Sequence, residues 1–71
     1  MEDKILEIAS SVFNIDKAYL NINISKDELS QWDSLAHIQL ISEIEDTFNI
    51  EIPINDFWKI NSLKQILNYL K

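Results

Sequence analysis

The chain is 71 residues long and contains no cysteine, which excludes a disulfide framework and a thiolate metal site as sources of stability. Its formal charge is −6, from twelve acidic residues against six lysines, and a surface of this sign repels nucleic acid and anionic lipid. Because 46% of the residues are apolar, a disordered acidic tail is also excluded, and we predict a single small domain over residues 1–71 with a thin core.

No stretch of the sequence is long and apolar enough to span a membrane, and the first residues, Met1 to Lys4, lack the basic start of a signal peptide. We therefore expect a cytoplasmic protein with no membrane partner. A metal site is not expected either. A calcium loop of the EF-hand type needs a central glycine and a zinc site needs paired His and Cys ligands, whereas the chain has no glycine and a single histidine.

Apolar residues recur at three- and four-residue spacings near the start of the chain, which predicts an amphipathic helix from about Asp3 to Phe13. The apolar face of this first helix comprises Ile5, Ile8, Ala9 and Val12, widened by Leu6 and Phe13. Asn14 is expected to end the helix. We assign this face to the core and attach no function to it.

The chain from Ile15 to Gln31 has no helical periodicity. Asn21 to Ile24 alternates as an edge strand would, but no second strand is predicted with which it would pair. We therefore expect an ordered loop that positions the start of the second helix, since connections of this length are uncommon in small domains unless they have a function. Its apolar residues would hold it against the helices: Ile15, Leu20, Ile22, Ile24 and Leu29.

The second helix is predicted to begin at the Asp33-Ser34 pair and to run to Phe48. Asp33 is a natural N-cap, because its carboxylate can accept a backbone N–H that has no partner inside the helix. Apolar residues define the buried face: Leu40, Ile41, Ile44 and Phe48. At about 100° per residue, the outward face collects Ser34, Ile38, Ser42 and Glu45.

Pro53 is expected to stop the second helix from continuing through Ile52, because the residue before a proline disfavours the helical region. Asn55 is then predicted to cap a short third helix, from Asp56 to Lys59 or Ile60. Of its two bulky residues, Phe57 and Trp58, one is expected to be buried.

Ser62 and Gln65 have the spacing of a capping box, which predicts the start of the last helix. The apolar face of that helix comprises Leu63, Ile66, Leu67 and Leu70. The predicted fold is therefore all-α: a small four-helix bundle of three longer helices and a short third one, with a long loop between the first two.

Ser34 lies where a phosphate ester would be stabilised, because the dipole and the unpaired N–H groups at a helix start favour an anion. Taken alone, the Asp-Ser pair fits a simple helix cap better than a modification site. A catalytic serine needs an adjacent base held by a third group, and His37, the only histidine, points toward Leu40 and Ile44 instead. We therefore predict no catalytic residue.

The motif Asp33-Ser34-Leu35, the helix after it and the segment from Phe48 to Pro53 (Phe-Asn-Ile-Glu-Ile-Pro) together resemble the acyl carrier protein family over nearly the whole chain. The resemblance implies that Ser34 carries 4'-phosphopantetheine, with Asp33 and Leu35 completing the attachment site. It implies a non-catalytic, stand-alone, monomeric carrier that holds fatty, polyketide or aminoacyl groups as thioesters. One departure is Ser30-Gln31-Trp32, where many relatives have glycine.

The same resemblance implies two kinds of partner enzyme. A phosphopantetheinyl transferase would attach the arm from coenzyme A with a divalent metal, and acyl-loading and acyl-transferring enzymes would dock basic patches on the second helix. The expected docking residues are Leu35, Ile38, Ser42, Glu45 and Asp46. A solvated helix face would explain the acidic residues as well, and the edge of the core is the alternative for Leu35 and Ile38. The alternative function is an unmodified acidic helical domain that binds a partner through this helix.

Two further residues are assigned to packing. We expect His37 to pack against the long loop and to donate a hydrogen bond there. Trp32 is expected to pack under the same loop, and the alternative is that it shapes the entry of the cofactor.

Overall fold

The computed structural model describes residues 1–70, which form four α-helices joined by loops and 3₁₀ turns. The helices are α1 (Glu2–Phe13), α2 (Ser34–Phe48), α3 (Ile54–Phe57) and α4 (Leu63–Ile66). The 3₁₀ turns cover Lys17–Tyr19, Lys26–Glu28 and Leu67–Tyr69. No β-strand occurs in residues 1–70, so the predicted all-α four-helix fold is confirmed. Lys71, the last residue of the predicted domain, lies outside the described residues.

Asparagine ends both long helices. Asn14 and Asn49 adopt left-handed backbone conformations, with φ of 56° and 54°, and their N–H groups donate to Ser10 and Glu45 carbonyls in the last turns of α1 and α2. Asparagine tolerates this conformation better than most residues, and this chain contains no glycine to take the position. The prediction for Asn14 is confirmed. Because Asn49 already ends α2, Pro53 is not the residue that stops it.

The core lies between α1, α2 and α4, with α1 antiparallel to α2. At one end, Phe13 of α1 packs against Trp32, two residues before α2, with ring centroids 5.2 Å apart. The largest fully buried aliphatic side chains come from the predicted apolar faces of these helices, together with one residue that precedes α4: Ile5, Leu40, Ile41, Ile44, Ile60, Leu63 and Ile66. Burial of these faces is what holds so short a chain together, because apolar area removed from water is the main stabilising term in a small domain.

The long connection between α1 and α2 is an ordered loop, as predicted. Leu20 and Ile24 are buried in the core, and Ile15, Ile22 and Leu29 pack against it in part. The loop also finds a backbone partner that the sequence did not reveal, the segment before α4. The Lys26 N–H donates to the Asn61 carbonyl at 2.7 Å and the Leu63 N–H donates to the Ile24 carbonyl at 3.3 Å, so that Ser25 and Ser62 form an isolated antiparallel bridge.

The third helix differs from its prediction in both start and burial. It begins at Ile54 after Pro53, and Asn55 lies within it instead of capping it. Proline favours this position because its fixed φ suits a helix start and its missing N–H is not needed there. The expectation that Phe57 or Trp58 is buried was wrong. Phe57 is half-buried and Trp58 is 55% exposed. Both rings pack around the imidazole of His37, and it is the histidine that is fully buried.

The last helix begins with the predicted capping box. The Gln65 N–H donates to Ser62 Oγ, while Gln65 Oε1 accepts the Ser62 N–H at 3.2 Å and the Asn61 N–H at 2.6 Å. The helix α4 is shorter than predicted, because the chain tightens into a 3₁₀ turn from Leu67 to Tyr69. Within residues 1–70, no helix has both the length and the apolar character that a membrane crossing requires.

Candidate functional site

The candidate site is the first turn of α2, which the side chain and backbone of Asp33 cap. Asp33 is extended, with φ −91° and ψ −174°, and its Oδ1 accepts the Ala36 N–H at 2.8 Å. The Asp33 carbonyl accepts the His37 N–H at 2.8 Å. Of the four N–H groups that a helix start leaves without an intrahelical partner, those of Ser34 and Leu35 bond to no acceptor within residues 1–70.

The hydroxyl of Ser34 is accessible at this helix start. Ser34 is exposed, Leu35 beside it is 66% exposed, and the Asp33 carboxylate is already held by the Ala36 N–H. An anionic ester on Ser34 would meet two free N–H groups and the positive end of the dipole of a 15-residue helix. The residues present therefore fit a covalently attached phosphate group.

His37 is fully buried one turn after Ser34, and both of its ring nitrogens are engaged. Nδ1 accepts the indole N–H of Trp32 at 3.0 Å, and Nε2 donates to the Phe57 carbonyl at 2.8 Å. The ring therefore offers Ser34 no free nitrogen as a base. The predicted hydrogen-bond donation to the long loop is wrong, because the donor faces α3. It is Trp32, at the end of that loop, that donates to the histidine.

Trp32 is buried and does not open onto the surface. It is 2% exposed, and its ring lies between Phe13 and His37. Burial lowers the pKa of His37 below its ordinary value, and the positive charge of Lys26 lowers it further, against an opposing effect of the Phe57 carbonyl. His37 is accordingly neutral in the folded chain near neutral pH.

The predicted docking residues do not all have the same surroundings. Leu35 and Ile38 are 66% and 46% exposed, and Ser42 and Asp46 are exposed further along α2. At a rise of 1.5 Å per residue, Asp46 lies about 18 Å from Ser34 along the helix axis. Glu45 is half-buried, and its Oε2 accepts the Ile52 N–H at 2.8 Å, so this carboxylate also holds the loop between α2 and α3.

Two exposed apolar residues, one in α3 and one directly after it, were not predicted from the sequence to belong to a functional surface. Ile54 is 79% exposed, and Trp58 stacks on His37 with ring centroids 5.0 Å apart. Lys26 places Nζ 5.7 Å from the centroid of the Trp58 ring, within the range of a cation–π contact. The sequence carries little signal for this arrangement, because a helix of four residues has too few positions for its faces to be assigned.

An open groove of about 460 Å³ lies between α1 and α2, lined by Ser11, Val12, Ile38, Gln39, Ser42 and Glu43. It runs beside the outward face of α2, so Ile38 and Ser42 belong to both. No group of three potential metal-ligating side chains occurs within residues 1–70.

Comparison with known proteins identifies the family to which the chain belongs. Residues 3–70 match the family described as "Phosphopantetheine attachment site". The chain is 38% identical over 71 residues to an acyl carrier protein of Buchnera aphidicola, covering 99% of this chain and 89% of that protein. It is 29% identical over 69 residues to an acyl carrier protein of Lactobacillus johnsonii, covering 97% and 86%. It is also 34% identical over 67 residues to a segment of bacitracin synthase 1 from Bacillus licheniformis, covering 94% of this chain and 1% of that protein.

Proposed function

Because the chain belongs to the phosphopantetheine attachment family, a group of non-catalytic carriers that includes the acyl carrier proteins, we propose that Ser34 is its attachment residue. The observation that carries the proposal is the exposed Ser34 hydroxyl at the capped start of the longest helix, beside two free N–H groups. The cofactor of this family is 4'-phosphopantetheine, which supplies a thiol that holds a carboxylic acid as a thioester. The cargo we propose is an acyl group of the fatty, polyketide or aminoacyl class.

Each residue of the attachment motif has its own part in this proposal. Ser34 Oγ forms the bond to phosphorus while the pyrophosphate bond of coenzyme A breaks, and the nucleotide half of coenzyme A is the leaving group. The free N–H groups of Ser34 and Leu35 are close to the ester, where a helix start contributes about 0.3–1 kcal/mol to the stability of an anion. Asp33 keeps this turn folded by accepting the Ala36 N–H. Since the nitrogens of His37 are engaged elsewhere, the chain does not activate Ser34 itself. The transferase that brings coenzyme A and a divalent metal must remove the hydroxyl proton.

Partner enzymes are proposed to dock on the exposed face of α2. Leu35 and Ile38 form its apolar centre, and Ser42, Glu45 and Asp46 extend it away from Ser34. The net charge of −6 favours partners with basic patches, because opposite charge raises the rate of encounter without requiring tight binding. We propose a monomeric carrier in the cytoplasm that must leave one enzyme to reach the next. Weak docking suits this role, because a weak complex is one that dissociates quickly.

The similarity to both acyl carrier proteins and a segment of a synthase supports either an acyl or an aminoacyl cargo. Loading assays test the carrier role itself. Protein treated with a broad-specificity transferase and coenzyme A is offered fatty acyl, malonyl and aminoacyl donors with their loading enzymes. We expect one of these classes to form an adduct that hydroxylamine releases, as it does a thioester. Protein that never gains the arm would instead support the alternative function, an unmodified acidic interaction domain.

A further inference from the structure

His37 is the one buried polar side chain among residues 1–70, with an exposure of 0%, and it joins three parts of the chain. The indole N–H of Trp32 can only donate, so its partner, His37 Nδ1, carries no proton. The ring proton is therefore on Nε2, which donates to the Phe57 carbonyl at 2.8 Å. A single neutral tautomer satisfies both contacts.

The two residues joined by the first of these hydrogen bonds flank Ser34 in the sequence. Trp32 lies two residues before it and His37 three residues after it, so the indole–imidazole bond closes the turn that carries the hydroxyl. The two hydrogen bonds accepted by Asp33 close the same turn from inside. The Phe57 carbonyl belongs to the last residue of α3, where helix carbonyls lack an intrahelical partner. The histidine thus ties the start of α2 to the end of α3.

Aromatic rings hold the imidazole in this orientation. Phe57 meets it edge-on at a centroid distance of 5.2 Å, and Trp58 stacks on it at 5.0 Å with an interplanar angle of 20°. Trp58 is 55% exposed, so its indole is available at the surface while it contacts the buried histidine. The place of Ser34 relative to the surface of α3 is therefore fixed through His37.

We propose that His37 is a positioning residue for reactions at Ser34, holding the first turn of α2 against α3 through its bonds to Trp32 and Phe57. This inference rests on the proposed function of Ser34. An enzyme that contacts α2 and α3 together then finds the hydroxyl, and later the arm, at one fixed position. Misplacement of a reacting group by about 1 Å can cost a factor of 10² in rate, so a small loosening of this turn has a measurable effect.

The hydrogen-bond arrangement is tested without any variant. Because the chain has one histidine, a long-range ¹H–¹⁵N spectrum of the intact protein at pH 7.5 contains a single imidazole. We expect the Nε2–H tautomer with an unprotonated Nδ1. A ring protonated on Nδ1, or the averaged shifts of a free imidazole, would overturn the proposal.

The positioning role is tested by the kcat/KM of Ser34 modification by a phosphopantetheinyl transferase. His37→Phe keeps an aromatic ring but bonds to neither partner, and we expect kcat/KM to fall about tenfold. His37→Gln keeps a donor near Nε2 and should recover part of the loss. Ile66→Val is the matched control, because Ile66 is a fully buried residue of α4 that takes part in neither hydrogen bond of His37. We expect its kcat/KM to stay within about twofold of wild type, since this change leaves the bonds of His37 to Trp32 and Phe57 in place.

All variants are compared at a temperature where circular dichroism shows them folded. If His37→Phe does not fold, Trp32→Phe replaces it, since it removes the indole donor and leaves the histidine in place. Wild-type kcat/KM in the folded variant, or an equal loss in Ile66→Val, would overturn the positioning role. A wild-type protein that accepts no phosphopantetheine would overturn the proposed function instead, so the two failures are distinguishable.

Discussion

A buried neutral histidine makes the stability of this chain depend on pH near neutrality. Protonation of His37 would place a charge in an apolar site and remove the acceptor of the Trp32 N–H. Among the charged groups on the surrounding segments, Lys26 opposes protonation, and Asp56 and Lys59 of the α3 region pair with each other at 3.9 Å. Asp33, the N-cap of the helix that contains His37, is held by the Ala36 N–H. Burial therefore lowers the pKa of His37, with no carboxylate contact to restore it.

Because the pKa of His37 is lower in the folded chain than in the unfolded chain, the protein is expected to be less stable at acidic pH. The unfolded chain binds a proton at the ordinary histidine pKa of about 6.5, whereas the folded chain binds it only at lower pH. The stabilisation is complete above about pH 6.5 and is lost as the pH falls toward the folded pKa. We expect the Tm of the wild type to fall by several degrees between pH 7.5 and 5.5, since about 1 kcal/mol corresponds to roughly 4–8 °C in a domain of this size.

His37→Gln is the control for this prediction, because glutamine does not titrate. Its Tm should be lower than that of the wild type at pH 7.5 but should change little between the two pH values. Parallel Tm curves for the two proteins would show that other groups cause the pH dependence.

At the scale of the helices, two asparagines replace the glycine that usually follows a helix end. Left-handed φ costs most residues roughly 1–2 kcal/mol, and asparagine tolerates it better than alanine does. We expect Asn49→Ala to lower the free energy of unfolding by about 1 kcal/mol, and Asn49→Gly to leave it unchanged within roughly 0.5 kcal/mol. Urea unfolding of the two variants and the wild type measures this. An alanine variant as stable as the glycine variant would contradict the role of Asn49.

Docking on the exposed face of α2 is expected to depend on its negative charge. Glu45 holds the Ile52 N–H, so Asp46, which is exposed, is the carboxylate with which to test docking without disturbing the loop. We expect Asp46→Lys to slow modification by the transferase roughly two- to fivefold at low salt, with a smaller difference at 0.3 M sodium chloride. Glu2→Lys makes the same change of charge on α1. If it slows the reaction as much, net charge and not the face of α2 is responsible.

These elements differ in how much of them could be predicted. The faces of α1 and α2, the caps at Asp33 and Ser62 and the stop at Asn14 follow from local spacing and side-chain chemistry, and the structure has them there. The start of α3 was missed because a four-residue helix has no full period to read. The bond between His37 and Phe57 spans twenty residues and depends on how α2 and α3 pack, so no local pattern contains it.

At the scale of the whole molecule, the fold carries a large excess of negative charge, −6 in all. Within residues 1–70, ion pairs join Lys17 to Asp3 and Lys59 to Asp56, while Glu43, Asp46 and Glu51 are exposed and contact no lysine of that range. A domain of this length has only a few kcal/mol of net stability, at roughly 0.05–0.15 kcal/mol per residue. Repulsion among these carboxylates therefore takes an appreciable share of the margin.

Screening should recover part of that stability. We expect the Tm at pH 7.5 to rise when moderate sodium chloride is added to a low-salt buffer, and to rise further when magnesium or calcium in the millimolar range is added at matched ionic strength. Thermal melts followed by circular dichroism measure it. A Tm that stays constant or falls would show that the lysines already balance the acidic surface.

The central claim, that this carrier is loaded through Ser34, is tested most directly by the intact mass of the protein after incubation with coenzyme A, magnesium and a broad-specificity transferase. Ser11→Ala, which removes another exposed serine, is the matched control for Ser34→Ala. We expect the wild type and Ser11→Ala to gain the mass of one phosphopantetheine, and Ser34→Ala to gain nothing. A Ser34→Ala protein that still gains this mass, or a wild type that never does, would contradict the account.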